Sequence, residues 1–309
     1  MTTPGVNERL GAEFEEQRAY LLRVAYSHLG TVAEAEDVVQ DAWLRLERTD
    51  RSEIRDLRAW LATVVSRLAL DALTSARARR ERYVGPWLPE PVVDPDAADA
   101  DPATRVELDE SVSMALLIVL EALSPAERSA FVMHDIFGYS FTEVASIVNR
   151  TPQATRQLAA RARHAVEARR PRYPATSDKQ REVVEAFVAA AMAGDVAALL
   201  EVLDPEVSLC SDGGGLVKAA RTVFVGAARV AQVVTAMATK SGSDFRFSPA
   251  LINGTPGLVV ETSDSPSVVS FTVDAGRITE IDLIRNPDKL RTLPRSRRGA
   301  PEDRGSTSR

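Results

Sequence analysis

Cysteine and histidine are scarce in this sequence. Cys210 is the single cysteine among 309 residues, and the three histidines are His28, His134 and His164. One thiol cannot form an internal disulfide, and it excludes a cysteine-rich metal site. We therefore expect no disulfide framework, no metal ion and no cofactor.

Long apolar runs are also missing. No stretch is apolar enough over about 20 residues to span a bilayer. The first residues lack the basic start and apolar core of a signal peptide. With 45% hydrophobic and 27% charged residues, the composition is that of a globular protein. We expect a cytoplasmic protein.

The net charge of −6 argues against a protein that coats nucleic acid non-specifically, although local basic patches matter more than the total. One such patch lies in the most informative stretch of the chain, from Ser124 to Arg172. Capping boxes at Ser124–Glu127 and Ser140–Glu143 begin two helices. A break at residues 149–152 then leads into an arginine-rich helix.

A short helix, a tight turn and a basic helix predict a helix-turn-helix, whose second helix enters a DNA major groove. This stretch alone leaves another interpretation open, a basic solvated helix on an ordinary helical bundle. Apolar residues at helical spacing predict three further helices before it, from Phe14 to Leu29, from a capping box at Thr31–Glu34 to Leu46, and onward from Trp60. Residues 1–12 are expected to form a frayed terminus.

Between these helices the composition changes to Pro, Asp and Ala, which is typical of an extended linker. The linker contains Trp87-Leu88-Pro89-Glu90-Pro91, and we expect this apolar piece to dock on a neighbouring surface. After Pro174 two helices are followed by β-branched strands at residues 206–210, 258–262, 268–273 and 277–283, which predict an α+β domain.

The predicted organisation is a first all-α domain, an acidic linker, a second all-α domain with the helix-turn-helix, an α+β domain and a disordered tail. Their predicted boundaries are 1–85, 86–103, 104–172, 178–292 and 293–309.

Both helical domains resemble regions two and four of bacterial RNA polymerase sigma factors of the extracytoplasmic-function group. The resemblance lies in Ala35-Glu36-Asp37-Val38-Val39-Gln40-Asp41-Ala42-Trp43, in Arg58-Ala59-Trp60-Leu61 followed by Asp71-Ala72-Leu73, and in the stretch from Leu123 to Arg163. The C-terminal domain looks like a SnoaL-type cone of the NTF2-like superfamily. A SigJ-like subgroup carries that extension, and three strings point to it: Trp87 to Pro91, Asp212-Gly213-Gly214-Gly215 and Asn286-Pro287-Asp288-Lys289-Leu290.

The resemblance implies a protein that binds core RNA polymerase and promoter DNA. It places polymerase binding on Asp37, Gln40 and Asp41. It places DNA binding in the first domain on Arg67, Asp71, Arg77, Arg79 and Arg80, and in the recognition helix on Arg156, Gln157, Ala160, Arg161 and Arg163. We expect the cone to regulate the sigma factor through contacts made by Trp87, Leu88, Pro89, Asp212, Gly213, Gly214, Gly215, Asn286, Pro287, Asp288, Lys289 and Leu290.

Two other functions compete with this one. A one-component regulator would join a helix-turn-helix to a ligand-sensing cone, but it leaves the first hundred residues without a role. An enzyme would use Asp212 and Asp282 as acids in the cone, but the cone contains no histidine, and we expect no catalytic residue. An anti-sigma partner is not predicted by the sequence.

Overall fold

The computed structural model describes residues 6–80, 83–94, 112–169, 173, 175–241, 246–262, 265–291 and 293. Residues 95–103 of the predicted acidic linker, residues 104–111 at the start of the predicted second all-α domain and the predicted disordered tail from residue 294 lie outside these described residues. Four names are used below: the first helical domain (6–80), the strap (83–94), the second helical domain (112–169) and the cone (175–291).

The first helical domain consists of α1 (Val6–Leu29), α2 (Val32–Leu46) and α3 (Leu57–Arg80). Each helix turns an apolar stripe inward, and Leu21, Val39 and Leu61 are fully buried. Because α1 begins at Val6, the prediction of a frayed terminus up to residue 12 was wrong for residues 6–12. Burying Phe14 against Trp43, at 5.1 Å between ring centroids, holds this first part of α1 on the domain.

The second helical domain consists of α4 (Met114–Glu121), α5 (Pro125–Phe131), α6 (Phe141–Val148) and α7 (Pro152–Arg169), and a π-helical turn (Val132–Ile136) extends α5. Both predicted capping boxes are present. Ser124 and Ser140 accept the third helical amide, and the glutamate at that position reaches back to the cap amide. Two otherwise unsatisfied amide groups are thereby bonded at each helix start.

One hydrophobic core runs through both helical domains. Val132 and Met133 of the second domain are fully buried in the same cluster as Leu21 of the first. At the edge of this contact the hydroxyl groups of Tyr20 and Tyr139 lie 3.0 Å apart. The two helical domains therefore pack together as one body.

The described residues of the cone form three α-helices and one β-sheet. Its elements are α8 (Ser177–Ala193), α9 (Val196–Val202), β2 (Leu203–Asp212), β3 (Phe224–Val225), α10 (Ala227–Ser241), β4 (Arg246–Ile252), β5 (Thr255–Glu261), β6 (Ser267–Asp274) and β7 (Arg277–Ile284). The helices cover one face of the sheet, where Phe187, Leu199, Val230 and Ile281 belong to one apolar cluster. This arrangement is the α+β cone expected from the sequence.

The strap supplies an edge strand to the cone. Its β1 (Val93–Asp94) pairs antiparallel with β4, with Val93 opposite Ile252. Within the described residues the strand order is β1-β4-β5-β6-β7-β2-β3, and β2 runs parallel to β7. The second face of this sheet is also covered, because Leu88 of the strap and Met114 of α4 pack with Ile252 and Ile284. Both faces are therefore buried.

The sequence did not predict α10 or β4. The β4 sequence has a single β-branched residue, Ile252, and it contains Pro249. Proline removes a backbone donor and is unusual inside a sheet. β4 is nevertheless held by a full antiparallel ladder with β5, in which Pro249 lies opposite Leu258. In the described part of the chain, no helix combines the length and apolarity needed to cross a membrane.

Candidate functional site

The predicted polymerase-binding residues lie on the free side of α2. Asp37, Gln40 and Asp41 are all exposed, while Val38 and Val39 between them are buried. Positions three and four residues apart share one helix face. These three polar side chains therefore form one exposed acidic face, and the cone and strap leave it open.

The helix-turn-helix consists of α6, a three-residue turn and α7. Asn149 adopts φ 51 at the end of α6, a left-handed conformation that asparagine tolerates. The hydroxyl of Thr151 then accepts the amide of Ala154 at 3.2 Å and caps α7. Thr155 and Ala159 are buried against the rest of the domain, which fixes the rotation of α7.

This rotation exposes the predicted base-reading residues. Arg156, Gln157 and Ala160 are all exposed on α7, and the Arg156 guanidinium lies 5.4 Å from the centre of the Phe141 ring. The exposed Arg156 guanidinium and Gln157 amide can form hydrogen bonds with base edges, and the small side chain of Ala160 leaves room for the bases.

Two other arginines of α7 are held by ion pairs within the domain. Arg161 Nε lies 2.7 Å from a Glu127 carboxylate oxygen, and a terminal guanidinium nitrogen of Arg163 lies 2.6 Å from a carboxylate oxygen of Asp135. Side chains of both arginines remain accessible, at 60% and 43% exposure. Such surface pairs contribute little stability, so phosphate groups can compete for these two guanidinium groups.

In the first helical domain, the predicted DNA-binding face of α3 lies against α6. Arg67 and Asp71 are exposed, yet the Arg67 guanidinium donates to the backbone oxygen of Ser146 at 2.9 Å. The side chains of Arg77, Arg79 and Arg80 lie outside the described part of the structure. In this arrangement Arg67 contacts the helix-turn-helix.

The carboxylate of Asp212 is the centre of the contact between the cone and the strap. It is fully buried, and four donors surround it. One oxygen accepts from the Tyr83 hydroxyl at 2.6 Å and from the Gly214 amide at 3.0 Å. The other accepts from the Leu88 amide at 2.9 Å and from the Lys289 ammonium at 2.7 Å. A buried charge with these partners is both paired and hydrogen-bonded.

Lys289 connects the end of the cone to the aromatic residues of the strap. Its ammonium group lies 4.0 Å from the centre of the Trp87 ring and 5.1 Å from that of Tyr83. It also donates to the backbone oxygen of Leu88. A desolvated ammonium group over an aromatic face gains a cation–π attraction in addition to its ion pair. Trp87 is therefore docked, as the sequence predicted.

The three glycines allow the loop after β2 to approach its neighbours closely. A β-carbon on Gly214 would lie 2.5 Å from the side-chain nitrogen of Asn286. One on Gly213 would lie 2.7 Å from the backbone oxygen of Val217. Gly215 adopts φ 74 against Val84 of the strap. These glycines thus belong to a packed contact and do not form a free hairpin.

The string from Asn286 to Leu290 completes this contact. Asn286 donates from its amide to the Tyr83 hydroxyl at 2.7 Å, and its side-chain oxygen accepts the amide of Asp288 at 3.0 Å. Pro287 begins the 3-10 turn that follows. Leu290 packs in the cluster that contains Leu88. Pro89 is buried beside these residues.

Asn253 joins the cone to three other parts of the chain, and sequence reasoning missed it. Its side chain accepts the Val92 amide at 3.1 Å and donates to the Tyr26 hydroxyl at 2.9 Å and to the Val112 backbone oxygen at 3.2 Å. The backbone amide of Asn253 also donates to the backbone oxygen of Val92. The Asn-Gly pair signals a turn, but no local pattern indicates contacts with residues this far away along the chain.

Glu90 of the strap was also missed. Its carboxylate accepts the Val32 amide at 2.8 Å, at the start of α2, and only 5% of its surface is exposed. Burial raises the pKa of Glu90, and the hydrogen bonds from the amides of Val32 and Ala33 oppose that shift.

Asp282 lies on the strap-facing side of the sheet, between Cys210 of β2 and Ser270 of β6. One of its carboxylate oxygens is buried and has no hydrogen-bond partner among the described residues. Burial, followed by the charge of Glu280, raises the pKa of Asp282 to about 8. The neighbouring Ile281 and Leu283 point to the opposite face, so Asp282 does not face the interior of the cone.

A cavity of about 470 Å³ lies between the second helical domain and the cone. Leu116, Phe131 and Val166 line it from one side, and Ser270 and Thr272 from the other. The helix-covered face of the cone is itself filled by apolar side chains. The acids considered for catalysis, Asp212 and Asp282, therefore do not converge on a pocket inside the cone.

Two family models match the helical domains. Sigma-70 region 2 matches residues 14–79, and Sigma-70 region 4 matches residues 113–166. The first match contains α2 and most of α3, and the second contains the helix-turn-helix.

Curated relatives extend the similarity to the cone. The chain is 40% identical over 307 residues to the ECF RNA polymerase sigma factor SigJ of Mycobacterium tuberculosis, covering 95% of this chain and 97% of that protein. It is 36% identical over 290 residues to the probable ECF RNA polymerase sigma factor SigI of the same organism, covering 93% and 97%. The crystal structure of M. tuberculosis SigJ matches with a TM-score of 0.73 at 37% identity, covering 91% of this chain and 98% of that one.

Proposed function

Because the chain belongs to the extracytoplasmic-function sigma factors of RNA polymerase, we propose that it binds core polymerase in the cytoplasm, recognises promoter DNA and initiates transcription under the control of its cone. A sigma factor of this kind acts as an initiation factor, and we assign no catalytic role to the cone. A one-component regulator is not favoured, because it would give no role to residues 14–79, which match Sigma-70 region 2.

Polymerase binding is assigned to the exposed face of Asp37, Gln40 and Asp41. Charged groups at the rim of an interface give specificity and fast association more than raw affinity, which suits a factor that must be released after initiation. The face remains open in this structure, so the protein can dock on polymerase without first losing its cone.

Promoter recognition is assigned to α7 for the upstream element and to α3 for the downstream element. Arg156 and Gln157 can each form two hydrogen bonds with a base, to guanine and adenine respectively, and Ala160 leaves room for a base edge beside them. Arg161 and Arg163 are assigned to phosphates, which position the helix without specifying sequence. Arg67, Asp71, Arg77, Arg79 and Arg80 are assigned to the melted strand.

Regulation is assigned to the compact packing of the two helical domains, which the cone supports. The observation that carries this assignment is the hydrogen bond from Arg67 to Ser146 at 2.9 Å. In this bond a residue assigned to the downstream element is occupied by the first helix of the helix-turn-helix. Two promoter elements at separate positions on DNA cannot both be engaged until α3 and α6 part. The Asp212 and Asn253 contacts oppose that separation, so the cone is a built-in restraint.

Run-off transcription with purified core polymerase tests the proposal. Three reactions are compared: one with the full chain, one with a chain that ends at Tyr173, and one without any sigma factor. Circular dichroism first verifies that the truncated chain is folded. We expect specific start sites from both chains and a higher yield from the truncated one. Absence of specific transcripts from both would contradict the sigma function, and equal yields would contradict the regulatory role of the cone.

A further inference from the structure

The start of α2 lacks the cap that its sequence predicts. Thr31 occupies the cap position with an extended backbone, but its side chain makes no capping hydrogen bond. The Thr31 hydroxyl donates instead to the carboxylate of Glu34 at 2.8 Å, so the predicted capping box at this helix was wrong. The first amides of a helix need acceptors from elsewhere.

Glu90 of the strap provides that acceptor. Its carboxylate accepts the Val32 amide at 2.8 Å, although Glu90 lies 58 residues further along the chain. A carboxylate at this position also interacts favourably with the positive end of the helix dipole. Glu90 thus satisfies the first amide of α2 from a different part of the protein, whereas Ser124 satisfies the third amide of α5 from the cap position itself.

The strap is tightly held at this point. The Glu90 amide donates to the Gly30 backbone oxygen at 2.8 Å, and its own backbone oxygen accepts the Tyr26 hydroxyl at 2.6 Å. Gly30 adopts φ 71, and a β-carbon there would lie 3.2 Å from the Trp87 ring. Backbone and side-chain contacts together therefore place the Glu90 carboxylate over the first turn of α2.

The helix that Glu90 caps is the one that carries Asp37, Gln40 and Asp41. Asp37 lies five residues beyond Val32, whose amide is capped, and all three residues stay exposed while the strap is bound. Fraying of the first turn would disorder the start of this face, whereas capping keeps it helical.

We propose that Glu90 is a positioning residue for polymerase binding, and that its stretch of the strap stays on α2 in the polymerase complex. The inference rests on the proposed polymerase contact of α2. It separates the strap into two parts with different roles. The Glu90 part belongs functionally to the first helical domain, while the part that contacts Asp212 and Lys289 belongs to the restraint.

The test uses the full-length protein and four variants: Glu90→Ala, Glu90→Gln, the double variant Glu90→Ala/Thr31→Asn, and Asp41→Ala. The dissociation constant for core polymerase is measured for each, together with amide hydrogen exchange of residues 32–36. The glutamine keeps a carbonyl acceptor but not the charge. The asparagine at position 31 restores a local cap without restoring the strap contact.

Loss of an N-cap weakens a helix by an amount that corresponds to roughly a tenfold change in an equilibrium constant. We expect Glu90→Ala to weaken core binding by about that factor and to accelerate exchange at residues 32–36. Glu90→Gln should retain most of the affinity, and Thr31→Asn should rescue Glu90→Ala. A structural role confined to the strap would not be rescued from position 31.

Three outcomes would overturn the inference while Asp41→Ala still weakens binding: unchanged affinity of Glu90→Ala, increased affinity of Glu90→Ala, or failure of the rescue. If Asp41→Ala binds core polymerase as the wild type does, the assigned polymerase face itself is wrong. The two failures are therefore distinguishable.

Discussion

The ammonium nitrogen of Lys289 lies 2.7 Å from a carboxylate oxygen of Asp212, and the two side chains are only 7% and 0% exposed. The pair joins the last turn of the cone to the end of β2, and both residues also bond to the backbone of Leu88 in the strap. The contact between cone and strap thus contains a buried ion pair, which tolerates the loss of one partner poorly.

This pair gives the first prediction. Lys289→Met leaves the Asp212 carboxylate buried without its counter-ion and should lower the free energy of unfolding by about 3–5 kcal/mol. The double variant Asp212→Asn/Lys289→Met removes both charges. Its loss of unfolding free energy should be smaller than the sum of the losses in Asp212→Asn and Lys289→Met. Urea unfolding of the wild type, the two single variants and the double variant measures the difference. Additive effects would contradict a direct pairing.

The second prediction concerns Asn253. Asn253→Gly removes three side-chain hydrogen bonds without straining the backbone, because glycine adopts φ 49 readily. At roughly 1 kcal/mol for each bond, the compact arrangement of the cone and the helical domains should lose about 2–3 kcal/mol of stability relative to an opened arrangement. Small-angle scattering should detect a larger radius of gyration, and run-off transcription should increase.

Asn149→Gly is the matched control for this experiment. Asn149 is also left-handed, at φ 51, but it lies in the helix-turn-helix and is exposed. Its variant should leave the radius of gyration unchanged. If both variants expand the protein equally, the effect is not specific to the Asn253 junction.

The third prediction separates base reading from phosphate binding in α7. Arg156→Ala should lower discrimination between promoter and random DNA by about 1–3 kcal/mol. Arg163→Ala should weaken binding to both DNAs alike and reduce the salt dependence by about one counter-ion. Affinity measurements at several salt concentrations distinguish the two, and equal loss on both DNAs for both variants would refute the assignment.

The fourth prediction is a pH dependence that arises from Asp282. Its pKa is raised to about 8 in the folded protein, whereas an unfolded aspartate titrates near 3.9. The folded state therefore holds the proton more tightly, and this stabilisation is complete below about pH 4. It declines as the pH rises toward the folded pKa, by at most about 1.4 kcal/mol per pH unit.

Asp282→Asn cannot ionise and should remove this contribution. The difference in unfolding free energy between the variant and the wild type should therefore grow in favour of the variant from pH 5 to pH 8. Urea unfolding at several pH values measures it. A difference that does not change with pH would mean that Asp282 is not buried as an acid in solution.

Local patterns predicted much of the helical structure. The boxes at Ser124 and Ser140 form as expected because each needs only residues three positions apart. The left-handed Asn149 and the cap at Thr151 likewise place the helix-turn-helix correctly. The same reasoning failed at Thr31, whose hydroxyl donates to the Glu34 carboxylate, while a carboxylate from the strap accepts the first amide of α2.

The candidate site divides in the same way. Exposure of Arg156 and Gln157 follows from the periodicity of α7 and could be predicted from the sequence. The Lys289 partner of Asp212 could not, because these residues are 77 positions apart and no spacing rule relates them. The resemblance indicated which strings meet, but not which atoms bond.

By itself the sequence determined the class of the protein, most of its helical elements other than α10 and the order of its domains, since these depend on propensity, capping and periodicity within a few residues. Only the tertiary structure decided that α3 rests on α6, that Asn253 joins the cone to Tyr26, Val92 and Val112, and that Glu90 caps α2. Each of these contacts buries polar groups brought together from distant parts of the chain, and their partners are chosen by packing.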